Sequence, residues 1–70
     1  MTHGTPDFSI IVKEVRRQLG LSQEALAQEL RVSYATINRW ENGKTAPFKL
    51  AREQFDAFCQ KKTQEGKLNL

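Results

Sequence analysis

The stretch Leu21–Gly43, LSQEALAQELRVSYATINRWENG, decides how this chain folds. It reads as two short helices with almost nothing between them. Ser22 is a good N-cap, and Glu24 suits the positive end of the helix that follows. Leu26 and Leu30 then share one face, four residues apart, which predicts a helix over 23–30. Arg31 and Val32 lead to Ser33, a second N-cap. A further helix is predicted over 34–42, closed by Gly43. Two helices this short do not stand alone in water and must dock on a larger apolar surface.

The flanks supply that surface. Pro6 suits a first helical turn. Phe8, Val12, Val15 and Leu19 recur on one helical face, and Gly20 supplies a stop. The first helix is therefore expected over 7–19. After a loop at Lys44-Thr45-Ala46, Pro47 opens a last helix in which Phe48, Ala51, Phe55 and Phe58 form the stripe. It should fade near Lys61 and Lys62. No alternation long enough for a strand appears. The expected fold is all-α, with residues 7–62 as one compact domain, 1–6 a flexible N-terminus, and 63–70 a flexible tail with little to pack. The core should hold Val12, Val15, Leu19, Leu26, Leu30, Ile37, Trp40 and Phe55. Cys59 reads as a small apolar filler.

Seventy residues allow one small domain. One cysteine excludes an internal disulfide framework, and with a lone His3 it offers no metal site. No cofactor is expected. No run approaches a membrane span, and MTHGTPDF lacks the features of a signal peptide. A cytoplasmic location is expected, with no membrane partner and no small-molecule substrate. No carboxylate pair or nucleophile–His spacing supports an enzyme.

The charge is uneven. The net charge is +3, yet residues 31–52 alone hold five bases (Arg31, Arg39, Lys44, Lys49, Arg52) against one acid, Glu41. Concentrated basic charge is the footprint of a phosphate-binding surface. Wound at about 100° per residue, the third helix turns Ile37 and Trp40 to one side. Ala35, Thr36, Asn38, Arg39 and Asn42 fall on the other. That outer side carries no acid. Arg can donate two hydrogen bonds to guanine, Asn can bond bidentate to adenine, and Ala allows close approach to a thymine methyl. An ordinary solvated face mixes Glu and Lys at four-residue spacing, and this one does not. Trp40, by its inward position, reads as core rather than as a base-stacking residue. Arg31 reads as a solvated charge in the turn; Lys49 and Arg52 suit either solvation or phosphate.

Taken in order, LSQ, Ala27, Leu30, Ser33, Ile37 and WENGK make this segment resemble the lambda-repressor/Cro-like (XRE) helix-turn-helix family, over roughly residues 8–58. The resemblance implies a compact four- to five-helix DNA-binding domain. Its helix-turn-helix would be formed by helices 2 and 3, with helix 3 in the major groove. It implies base reading or groove-wall contact by Tyr34, Ala35, Thr36, Asn38 and Arg39. Gln23 would bond a phosphate or support a base-reading residue, and Asn42, Lys44 and Thr45 would contact phosphate. Arg16 and Glu41 match positions that form a buried ion pair in some relatives. Tyr34 and Ala35 replace the glutamines common in relatives, so no operator sequence carries over.

The function implied is a sequence-specific double-stranded DNA-binding regulator of transcription, in the first place a repressor. A homodimer would read two half-sites. Two rival readings stand beside it. One is an antitoxin-type interaction module with a toxin as protein partner, using the Leu50 and Phe58 side and the tail. The other is the DNA-targeting module of a larger enzyme such as a methyltransferase.

Overall fold

A computed structural model describes residues 7–43 and 47–70. It contains four helices: α1 (Phe8–Leu19), α2 (Gln23–Leu30), α3 (Tyr34–Glu41) and α4 (Lys49–Gln64). Among the described residues there is no strand. The expected N-terminal segment 1–6 and the loop 44–46 lie outside the described residues.

The caps explain how so many turns fit in so short a chain. Gly20 adopts the left-handed conformation (φ 67°), and the Leu21 N–H returns to the Arg16 carbonyl at 3.0 Å. This satisfies carbonyls that the end of α1 leaves without partners. One residue later Ser22 starts α2, its Oγ accepting from the Ala25 N–H at 3.0 Å. Ser33 repeats the device on α3, accepting from the Thr36 N–H at 3.1 Å. Between them Arg31 takes the left-handed conformation (φ 60°), which disfavours side chains other than glycine and asparagine. The Val32 N–H bonds the Ala27 carbonyl at 3.0 Å and holds that turn closed.

All four helices contribute to one core. Val12, Val15, Leu26, Ile37 and Phe55 are essentially inaccessible, and Ala27, Leu30, Trp40, Cys59 and Leu68 are buried with them. Each large apolar side chain of this kind contributes about 1.5–3 kcal/mol through burial. Phe8 seals one edge, meeting Trp40 and Phe55 edge-to-face at centroid distances of 5.3 and 5.1 Å. Leu19, expected in the core, packs against it while only partly buried.

The last helix differs from expectation at both ends. Pro47 and Phe48 precede it, with Phe48 as an extended N-cap. Phe48 therefore stands outside the helical stripe, and it is 87% exposed rather than buried. Only Phe55 of that stripe is fully buried; Ala51 and Phe58 are packed at its margin. At the other end α4 continues to Gln64, and the chain after it does not hang free. Gly66 is left-handed (φ 77°), and the Lys67 N–H bonds the Lys62 carbonyl at 2.9 Å. This turn drives Leu68 into the core, where it is 4% exposed. Asn69 then locks onto α1: its N–H donates to Gln18 Oε1 (2.7 Å), and Gln18 Nε2 donates to its carbonyl (2.9 Å). The expectation of an unpacked tail over 63–70 is corrected accordingly.

Candidate nucleic-acid interface

The α3 helix is held from behind and open in front. Ile37, Trp40 and Glu41 are its buried residues. Tyr34, Ala35, Arg39 and the C-cap Asn42 are exposed, while Thr36 and Asn38 are half-buried. The side chains singled out for base contact thus share one helix and its accessible side. Thr36 is partly committed: its hydroxyl lies 2.8 Å from Ser33 Oγ at the start of the helix. Arg39 is exposed. Lys44 and Thr45, expected to contact phosphate, lie outside the described residues.

Glu41, the acid of the basic segment, does not face solvent. Arg16 Nε and Nη2 reach its carboxylate at 2.6 and 2.9 Å, a bidentate pair joining α1 to the end of α3. Arg16 Nη1 also donates to the Leu21 carbonyl at 3.1 Å, gripping the turn between α1 and α2. Burial pushes the Glu41 carboxyl upward. The hydrogen bonds from Arg16 and Gln23 and the charges of Arg16 and Lys13 outweigh it, so its pKa lies below the ordinary range. With Glu41 enclosed, the charged side chains exposed among the described residues of 31–52 are all bases: Arg31, Arg39, Lys49 and Arg52.

Gln23 is placed differently from a free phosphate ligand. Its Nε2 donates to Glu41 Oε1 at 3.0 Å, so one N–H is committed to the ion pair. The residue opens α2 and borders a shallow hollow shared with Arg16, Ser22, Glu24 and Tyr34. One amide hydrogen and the carbonyl oxygen remain for a ligand there. Nothing local in the sequence announces this bond, because Glu41 lies eighteen residues away.

The remaining bases divide by partner. Arg52 bonds Asp56 at 3.0 Å and sits over the Phe8 ring at 4.9 Å, so its charge is already engaged. Lys49 and Arg31 are exposed. Cys59 is buried, and burial, followed by the charge of Asp56, pushes its thiol up to about 11. Among the described residues no group of His, Cys, Asp or Glu is arranged to hold a metal ion. No described helix is long and apolar enough to cross a membrane.

Comparison with known proteins agrees with this geometry. Residues 12–47, from the middle of α1 past the end of α3, match the helix-turn-helix family. A Type II methyltransferase, M1.ScrFI of Lactococcus lactis subsp. cremoris, is 43% identical over 47 residues. That match takes in 63% of this chain and 12% of the methyltransferase, so the chain spans only a small part of that relative. No solved structure matches. With the family match covering more than half of the chain and the paired short helices in place, this chain belongs to the Cro/C1-type helix-turn-helix family of DNA-binding domains.

Proposed function

We propose that the chain is a sequence-specific reader of double-stranded DNA and acts as a transcriptional regulator, in the first place a repressor. The observation that carries this is the outer side of α3. It presents Ala35, Asn38, Arg39 and Asn42 without an acid, and the segment's own acid is enclosed behind it. A helix of this width enters the major groove, ~12 Å across. Phosphate contacts would fix the register, and the α3 side chains would discriminate bases. Tyr34 and Gln23 stand at the start of the two helices, where a phosphate strand would pass. Occupying a promoter with such a domain blocks access to it, which is why repression is the simplest regulatory outcome.

Selection of bound duplexes from a random pool, at a stated salt concentration, tests the reading. A recovered motif supports it, and a palindromic motif supports a homodimer on two half-sites one helical turn apart. Recovery of random sequence contradicts it.

A second reading has one specific observation in its favour. The methyltransferase relative shares this region as 12% of its own length. On that reading the domain directs a larger enzyme to DNA. This chain's own residues would still only bind, and the same selection experiment would return the same kind of motif.

A further inference from the structure

A hollow of about 520 Å³ lies between α3 and the start of α4, and DNA reading leaves it unexplained. Its lining is mainly apolar: Val32, Trp40, Pro47 and Ala51 are half-buried or buried, and Phe48 stands beside them almost fully exposed. Arg39 lines the same hollow. Phe48 is 87% exposed at the mouth of this apolar hollow. Nothing in the fold requires it there, since Phe48 caps α4 without a side-chain bond.

We propose that this hollow is a docking site for a protein segment of acidic and apolar character, with a leucine or phenylalanine anchor seated against Trp40 and Phe48. Charge decides between occupants. Arg39 lies on the lining, Lys49 follows Phe48 and is exposed, and no acid occurs from Asn42 to Arg52. A second copy docking through the same face would bring the same cations against them and be repelled. A phosphate backbone would match the cations but has no apolar side chain to fill the space. An acidic helix with an apolar stripe satisfies both, in the manner of helix-in-groove recognition. Because Arg39 and Thr36 belong both to this hollow and to the α3 outer side, an occupant would stand in the way of DNA. The domain thereby carries a surface through which an acidic partner can release it from DNA.

Trp40 is the chain's single tryptophan and lines the hollow, so its emission reports occupancy with no DNA present. The probe is a pool of tryptophan-free helical peptides with Leu and Phe on one face and Asp and Glu on the other. A control pool carries Lys in place of the acids. The acidic pool is expected to shift Trp40 emission, more weakly at high salt, and the Lys pool to leave it unchanged. Phe48→Ser, at a position too exposed to matter for folding, should weaken the acidic peptides about tenfold. The site is overturned if neither pool acts, if both act alike, or if Phe48→Ser binds as tightly as the parent. It is also overturned if only a duplex shifts the emission and Phe48→Ser abolishes that, which would assign the hollow to nucleic acid. Peptide binding without competition from a selected duplex would overturn the release from DNA, since peptide and duplex would then occupy the domain together.

Discussion

Arg16 and Glu41, twenty-five residues apart, meet in a bidentate pair whose shorter bond is 2.6 Å. The pair ties the last turn of α3 to α1 and, through the Leu21 carbonyl, to the start of α2. It therefore sets the direction in which the outer side of α3 points. Glu41 is almost fully enclosed, while a quarter of the Arg16 side chain is exposed.

Removing one partner leaves the other without compensation in a partly dry site. Arg16→Ala or Glu41→Ala should destabilise the fold toward the lower end of the roughly 3–5 kcal/mol seen for buried pairs, because Arg16 keeps some access to water. The double change Arg16→Ala with Glu41→Ala should cost less than the two single costs added together. Urea unfolding of the four proteins checks this, and additive costs would show that the pair is not coupled.

Acid should act through the same carboxylate. Glu41 has its folded pKa below the unfolded carboxylate value of ~4.3. Its contribution is therefore fully present above that value and lost as pH falls through the folded pKa. Glu14 follows the same sign: hydrogen bonds from Arg17 and then Gln18 lower it to about 2, although it lies in solvent and contributes little. The melting temperature should hold steady from neutral pH to ~5 and then fall. The advantage of the parent over Glu41→Gln should shrink over that same acid range. An advantage that is unchanged in acid would contradict the assignment.

The caps and the apolar spacing made most of this fold legible in the sequence. Ser22 and Ser33 flank short apolar repeats, so α2 and α3 could be placed nearly to the residue. The start of α4 was harder. Phe48 shares its spacing with Ala51, Phe55 and Phe58, but spacing cannot reveal that the helix begins at Lys49, two residues after Pro47. The C-terminal return was not legible at all. Leu68 is buried by a glycine turn and by an amide of α1 fifty-one residues distant from Asn69, and neither leaves a periodic trace. The outer side of α3 could be read because it depends only on helical winding. The bond of Gln23 to Glu41 could not, because a side-chain amide has many potential partners and the choice is tertiary.

That return makes a prediction of its own. Leu68→Ala should cost roughly 2–5 kcal/mol, the range for a buried leucine truncated to alanine. Gln18→Ala should cost less, because the Asn69 backbone it bonds is exposed and can turn to water. Thermal unfolding followed by circular dichroism measures both. A Leu68→Ala protein as stable as the parent would show that the segment does not complete the core.

On the proposed reading, base discrimination turns on Arg39. Replacing it with alanine should cost roughly 1–3 kcal/mol at the selected site and relax one base position. Binding to random duplex should suffer less. Equal losses on both, measured by fluorescence anisotropy at one salt concentration, would reduce Arg39 to a phosphate clamp.

The central claim is that α3 is the element presented to DNA. Amide chemical shifts recorded while a selected duplex is titrated into the labelled protein test it most directly. The account predicts the largest changes from Tyr34 to Asn42 and at the start of α2 around Gln23, with the α4 residues after Phe55 undisturbed. Changes confined to another surface, with Tyr34 to Asn42 unmoved, would contradict it.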